Sequence, residues 1–449
     1  MKILILTTYY PPDTAIAAVR PYMLAKYLSR MGHTVTVLRS GEINKSCENF
    51  YEPLPDVRVI SYLGANSFAE RYERGEVASP QIGKSRIGFL PVWLRLPIAK
   101  VYHCLADSRP KETVSYREQR NARFEIQKAA LDSLSQETFD FVFSTYGELE
   151  NVFAGQYAAE LFNSILIQDF RDCIAAKLLQ KEEDYKILKK IQDDAVRKAD
   201  AYTAASDGLL KELSACVDME HPCMVLYNGY EPYEADSSDN SGSDSQCLNL
   251  CYTGQVYQGL SDISSLLEAL AVLIQQKKIH PSRVKIHYAG ANFDSLKSTA
   301  DAQGLGNLLI DHGYVNKTEA ARIQGMSDLF LVLSWNTADS QGILTGKFYE
   351  GIRAQKPILS IVSGDMPNSE LALLNEKYQY GFCYEMCQRN SQFSAFCDFL
   401  LDAYTQKMKH GRVRYHPVPE LFSDFRYDVL AKKLSDFCET LIEEKKQSS

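Results

Sequence analysis

Residues 2–38 read KILILTTYYPPDTAIAAVRPYMLAKYLSRMGHTVTVL. The four apolar residues Ile3-Leu4-Ile5-Leu6 do not alternate with polar ones, so they predict a strand buried on both faces. The strand runs out at Pro11-Pro12. Pro21 then sits near the start of a helix whose apolar stripe is Met23, Leu24, Tyr27, Leu28 and Met31. Gly32 offers the left-handed stop, and residues 34–38 make a second strand. This is one βαβ unit, in which two parallel strands are joined by a crossover helix.

The same alternation continues outward. Strands are expected at 57–61, 139–144, 165–168, 201–204 and 224–227, with helical patterns between most of them. Residues 231–246, EPYEADSSDNSGSDSQ, are acidic and serine-rich with almost nothing to bury, and they read as a solvated linker. Their Asp-rich spelling lacks the closing Glu of a calcium-binding loop. Beyond the linker, strands are expected at 248–252, 284–288, 308–311, 329–333 and 357–362. Helices are expected at 263–275, 317–326, 346–354 and 427–444. The fold class is therefore α/β: a domain over 1–230, the linker, and a second domain over 247–420, with the segment 421–449 free to pack back on the first. Two Rossmann-like halves of this kind enclose a cleft at the carboxyl ends of their strands.

Composition fits a globular protein and narrows its partners. The 449 residues are 45% hydrophobic and 24% charged, which excludes disorder, collagen and coiled coil as the overall class. A formal charge of -8 argues against nucleic acid as the main partner. Eleven cysteines are scattered without a CxxC; the close pairs Cys247/Cys251 and Cys383/Cys387 are spaced by four. The expectation is reduced thiols in a cytoplasmic protein, with neither a zinc ribbon nor a redox pair. The first apolar run is too short for a signal peptide. No run approaches the roughly 18 uncharged residues of a spanning helix.

At the level of motifs the chain resembles the family-4 glycosyltransferases, enzymes with two Rossmann-like domains in the GT-B arrangement. The opening strand, loop, helix and Gly32-His33 turn carry the likeness, followed by Asp169-Phe170-Arg171-Asp172, Ala204-Ala205-Ser206 and Tyr227-Asn228-Gly229-Tyr230. In the second half Tyr252-Thr253-Gly254, Tyr288-Ala289-Gly290, His312-Gly313-Tyr314-Val315, Ser327-Asp328-Leu329 and Lys347-Phe348-Tyr349-Glu350 fall in the family's order. The match leaves out about residues 65–125. The resemblance implies a nucleotide-sugar donor on the C-terminal domain and an acceptor on the N-terminal one. It further implies transfer with retention and no cofactor or metal.

The candidate donor-side residues are Gly254, Gly290, Tyr314, Val315, Thr345, Gly346, Lys347 and Glu350. Thr345-Gly346 opens a helix whose first N–H groups are free to face an anion, and Lys347 adds a cation there. Glu350 is one turn on and could hold a ribose diol, its counterpart's role in the family; the pair also reads as a solvated i,i+3 ion pair. Glycines after strands let a ligand approach the backbone but are equally ordinary turn residues. Tyr314-Val315 offers a backbone edge to a nucleobase.

On the acceptor side, Asp13, Thr14 and Arg20 are expected to face the cleft, with Ser144, Thr145, Tyr146, Asp169, Arg171 and Asp172 at strand ends. Asp13, Asp172 and Lys347 are the candidate catalytic residues. An Arg between two Asp is also the spelling of a structural ion-pair cluster. His33, on the far side of the sheet, reads as a turn residue.

Several positions depart from the commoner family pattern. Ala15-Ile16-Ala17-Ala18 replaces a glycine pair, and Gln255 and Gln258 stand where Arg and Lys clamp the diphosphate. Gly342 stands where the first of two acidic residues eight apart is usual. No histidine follows Phe143, where Glu148 and Glu150 stand instead as candidates for its polar role. The basic-aromatic stretch 84–101 suits either the domain's own core or an anionic lipid surface.

The function expected is sugar transfer to a glycan or lipid-linked acceptor in polysaccharide assembly, at or near the inner membrane face. The departures motivate the alternative of an inactive partner or scaffold. A nucleotide-sugar epimerase of the same architecture is a third reading.

Overall fold

The computed structural model describes residues 1–13, 15–41, 51–63, 111–177, 180–218, 221–232, 246–256, 260 and 262–448. Apart from its ends, the expected linker lies outside these, as do Thr14, Gln258 and the basic-aromatic stretch 84–101.

The first sheet has seven parallel strands: β1 (Lys2–Thr7), β2 (Thr34–Arg39), β3 (Val57–Ser61), β4 (Phe141–Thr145), β5 (Ile165–Phe170), β6 (Ala201–Ala204) and β7 (Cys223–Val225), in the order β3-β2-β1-β4-β5-β6-β7. The second has six: β8 (Leu248–Thr253), β9 (Val284–Ala289), β10 (Leu309–Asp311), β11 (Leu329–Trp335), β12 (Ile358–Ser363) and β13 (Gly381–Glu385), ordered β10-β9-β8-β11-β12-β13. Both show the doubly wound order, in which successive strands run outward and then reverse from the first strand. The reversal falls between β1 and β4 and between β8 and β11, and a ligand crevice opens at those carboxyl ends.

Register explains the unbroken apolar runs. Ile3 lies beside Val35 on one side and Phe141 on the other, and Ile5 between Val37 and Phe143. Helices cover both faces, so alternate side chains of β1 enter separate cores. Ile3 and Ile5 pack with Leu24 and Leu28 of the Val19–Arg30 helix. Leu4 and Leu6 pack with Ala129, Ala130 and Ala158 on the opposite face.

Strand bounds agree with the expected ones to within about two residues, but β13 was not anticipated. Its sequence GFCYE is short, glycine-led and aromatic without clear periodicity, and it closes the sheet edge beside β12. The Lys111–Asp132 and Arg389–His410 helices were also not anticipated. In the latter, Phe396, Leu400, Ala403 and Tyr404 form the buried stripe against the second sheet.

The chain passes between the two halves at Tyr230 and Arg426, where Tyr230 N donates to Phe425 O (3.0 Å) and Tyr427 N to Tyr230 O (3.2 Å). The Tyr427–Ser448 helix then packs on the first half. Its Leu430, Ala431, Leu434 and Cys438 share a core with Leu24, Leu28 and Val35. His33 lies on this helix, with Nε2 2.8 Å from Ser435 Oγ. The cysteines among the described residues are free thiols, and no described helix is long and apolar enough to cross a membrane.

One structural group makes stability depend on pH. His287 on β9 lies 2.9 Å from His312 Nε2 through Nδ1 and 3.2 Å from Asn249 Oδ1 through Nε2. Burial, then the neighbouring His312, Lys285 and Arg322, push its pKa down to about 4. A histidine held neutral in the fold charges first in the unfolded chain. Its contribution is therefore complete above the ordinary value of about 6.5 and is lost as pH falls toward 4. Urea midpoints should drop across that window with uptake of up to about one proton on unfolding, and His287→Asn should flatten the slope.

Candidate functional site

The donor-side residues converge at the carboxyl ends of β8, β9 and β11. Residues 336–345 lead from β11 into the Gly346–Ala354 helix, whose first turn holds Lys347, with Glu350 just beyond it. Thr345 occupies the N-cap without a side-chain cap, so the first N–H groups of this nine-residue helix keep their anion-binding capacity.

Lys347 Nζ donates to Glu350 Oε1 at 2.7 Å, and Glu350 Oε2 accepts from Gln324 Nε2 at 2.7 Å. Thr253 Oγ1 in turn accepts from Gln324 Nε2 at 2.8 Å. Each charged side chain of the pair keeps about a quarter of its surface exposed, which leaves the ammonium reachable from the cleft. The ion pair and a ligand-facing position thus coexist.

Gly254 is required here twice over. Its φ is +153°, and a Cβ would lie 2.6 Å from Lys347 Cε. Lys347 is therefore laid across the turn after β8. Gly290 sits alongside: a Cβ there would lie 2.2 Å from Gly254 O. Tyr314 is 82% exposed while Val315 packs against the helix-side core, so the edge at 314–315 is open to solvent. Gln255 is exposed and uncharged, leaving Lys347 as the cation nearest this turn among the donor-side residues named.

The first half corrects two expectations. Arg20 does not face the cleft. It is fully buried in a bidentate pair with Asp169, Nη2 to Oδ1 at 2.6 Å and Nε to Oδ2 at 3.0 Å. Thr145 and Thr203 hydroxyls donate to the same carboxylate at 2.7 and 2.6 Å. Burial alone would raise the Asp169 pKa, but Arg20 and the two hydroxyls outweigh it and hold the carboxyl below its usual range. Arg20 Nη1 also donates to Tyr227 O at 2.8 Å, so the pair fastens the crossing segment to the sheet.

Nor does Arg171 join an ion-pair cluster. Its guanidinium donates to two backbone carbonyls, Tyr146 O and Ala17 O, each at 3.1 Å. It ties the loop after β1 to the ends of β4 and β5. Asp172 is exposed, whereas Asp13 is 2% exposed with Oδ1 accepting from Ala15 N at 2.9 Å. Asp13 Oδ2 is buried and has no hydrogen-bond partner among the described residues.

The two glutamates after β4 separate clearly. Glu150 is buried, 3.6 Å from Arg123 Nη1, and burial raises its pKa. Glu148 is half-buried and accepts from Tyr9 OH at 3.3 Å, beside Gly147 and Arg171. Sequence reasoning passed over Tyr9, although an aromatic residue just past a strand's carboxyl end is a usable signal. Gln324 was also missed, and nothing in its local pattern marks it.

Across the cleft, the exposed Ile16 reaches the start of the Gly346–Ala354 helix, 3.9 Å from where a Gly346 Cβ would lie. Lys177 Nζ donates to Asp339 Oδ1 at 2.8 Å from the other side. Among the described residues no group of three or more His, Cys, Asp or Glu side chains is placed to hold a metal ion.

Two doubly wound parallel sheets of this order, each with its switch point at the carboxyl ends of its strands, have the GT-B fold. Solved structures with the same fold span nearly all of this chain. Sucrose-phosphate synthase from Thermosynechococcus elongatus matches at a TM-score of 0.60 and 12% identity, covering 99% of this chain and 100% of its own. Anabaena HepE in complex with UDP and glucose matches at 0.55 and 13%, covering 97% and 98%. The lipopolysaccharide outer core galactosyltransferase WaaB matches at 0.55 and 12%, covering 98% and 99%. No protein-family model and no curated protein matches the sequence.

Proposed function

We propose that the protein is a glycosyltransferase that moves a sugar from a nucleotide donor on the second half to an acceptor hydroxyl on the first. The observation that carries this is the open helix start at Thr345–Gly346 with Lys347 laid over Gly254, at the switch point of a sheet facing a second Rossmann-like sheet. Solved neighbours of the same fold contain UDP with glucose, or ADP with acarbose.

In this reading the helix N-terminus and Lys347 take up the charge that develops on the leaving diphosphate, and Glu350 meets the ribose hydroxyls. Transfer is retaining and is helped by no metal ion. Tyr9, Glu148, Arg171 and Asp172 form the acceptor wall, with Glu148 supplying the polar group that histidine supplies in many relatives. The two carboxylates of this wall, Glu148 and Asp172, against the Arg171 guanidinium suit a neutral, hydroxyl-rich sugar end rather than an anionic one. The acceptor is a glycan or lipid-linked sugar of a surface polysaccharide.

Thermal shift with UDP, GDP, ADP and TDP tests the donor assignment. At least one should stabilise the protein, by about 2.7 kcal/mol at a concentration of 100 Kd. No shift with any of them, together with an unaltered Lys347→Ala variant, removes it. The uncharged Gln255 favours a second reading, an inactive partner of an active enzyme. That reading requires sugar transfer only when the enzyme encoded beside it is added.

A further inference from the structure

The two halves meet again beside the crossing segment, around the Asp207–Ser214 helix of the first half. Glu370 opens the Glu370–Tyr378 helix between β12 and β13 of the second half, yet its carboxylate belongs to the other half's helix start. Asp207 N donates to Oε1 and Gly208 N to Oε2, both at 3.0 Å. The Tyr227 hydroxyl lies 2.9 Å from Oε1 and 2.8 Å from Asp207 Oδ2, within donating reach of both carboxylates. Glu370 is 6% exposed. One anion thus lies at the positive ends of two helices, its own and the Asp207–Ser214 helix, which Ser206 caps in parallel through Leu209 N.

Beside this contact the two backbones touch. A Cβ on Gly208 would lie 2.5 Å from Gly342 Cα, and one on Gly342 would lie 2.7 Å from Gly208 Cα and 2.6 Å from Ser206 Oγ. Neither half needs glycine at 208 for its own conformation, because that residue sits in ordinary helix. The missing side chain makes room for the other half. Gly342 lies in the segment 336–345 that delivers Thr345, Gly346 and Lys347, so what presses on it also positions the donor-side helix start.

We propose that Glu370, with the Gly208–Gly342 backbone contact, is a latch that holds the two halves closed and sets the segment leading into Lys347. Burial raises the Glu370 pKa, so what favours the joined halves is the surplus of two preplaced backbone N–H donors and the Tyr227 hydroxyl over the water that would replace them. All of these bonds cross from one half to the other, so parting the halves would break them together.

Gly208→Ala and Glu370→Ala test it by small-angle X-ray scattering of the full chain. Alanine is a better helix former than glycine, so Gly208→Ala leaves the Asp207–Ser214 helix at least as well formed and acts only as a wedge between the halves. Both variants should scatter as more extended particles with a larger radius of gyration than wild type. Hydrogen exchange at the Asp207 and Gly208 amides should quicken by about tenfold or more. Far-UV circular dichroism checks folding. If Glu370→Ala is lost to misfolding, Glu370→Gln, which keeps the size and loses the charge, takes its place with an intermediate shift. Wild-type scattering curves from folded Gly208→Ala and Glu370→Gln overturn the proposal. None of these readouts depends on sugar transfer.

Discussion

Lys347→Ala is expected to lower turnover by about 10²–10³ and to abolish most of the stabilisation by a nucleoside diphosphate. The ammonium is 2.7 Å from Glu350, whose other oxygen is held by Gln324. Removing it therefore does more than subtract one positive charge. It leaves a fixed carboxylate uncompensated beside the place where a diphosphate would lie, turning a locally neutral pair into a net anion. With Gln255 uncharged, no cation at the turn after β8 replaces it. Lys347→Arg should recover only part of the loss, because the planar guanidinium cannot lie across Gly254 as the lysine stem does. Glu350→Gln separates the two roles. It frees Lys347 for phosphate and weakens only contacts to the sugar of the nucleoside, so affinity for a nucleoside diphosphate should fall about tenfold while affinity for pyrophosphate holds. Calorimetric titrations of the three variants with both ligands provide the check. Equal losses for the two ligands in Glu350→Gln would assign that residue to folding instead.

Arg20→Ala is expected to be the most destabilising of these substitutions, at about 3–5 kcal/mol in chemical denaturation. The side chain is buried against Asp169, and its removal strands a carboxylate that only Thr145 and Thr203 continue to serve. It also releases Tyr227 O, so the crossing segment loses its tie to β5. Asp169→Asn should cost less than Arg20→Ala, because an amide keeps size and some hydrogen bonds. The pH dependence has a definite sign. A carboxyl held below its unfolded value contributes stability that is present above that value and is lost as pH falls through the folded one. Wild-type protein should therefore lose stability at the acid end through Asp169, and Arg20→Ala, in which the guanidinium no longer offsets burial, should show a smaller acid loss or none. A cost under about 1 kcal/mol would mean that water reaches the pair.

Most strands could be located from residue order because burial on both faces leaves a mark that needs no partner to be seen. Ile3-Leu4-Ile5-Leu6 and residues 329–333 are apolar throughout, and such short runs bounded by polar residues admit few other readings. The turn at Gly32 was legible for the same local reason, and its φ is +87°. Where the mark was weak, the reading failed: β13 is an edge strand that only its pairing with β12 defines.

The candidate site divides along the same line. Thr345, Gly346, Lys347 and Glu350 are contiguous, so their shared helix start could be read directly. The roles of Asp169, Arg171 and Arg20 could not be read that way. A run of Asp-Phe-Arg-Asp suggests a local cluster. Instead, Asp169 pairs with Arg20 across 149 residues, and Arg171 binds the backbone at Ala17 across 154. Glu148 and Glu150 are two residues apart, but Glu148 is the extended N-cap of the Leu149–Phe162 helix and reaches Tyr9, while Glu150 lies in its first turn and is buried.

By itself, the sequence determined two doubly wound halves, the place of the turns between their elements and a lysine at a helix start. Each follows from periodicity or backbone chemistry within a few residues. Tertiary structure alone decided that Arg20 is buried, that Gly254 gives way to Lys347, and that Glu370 caps a helix of the opposite half. Those contacts depend on strand order and on the closing of one half against the other. Such long-range placement leaves no spacing signal in the chain.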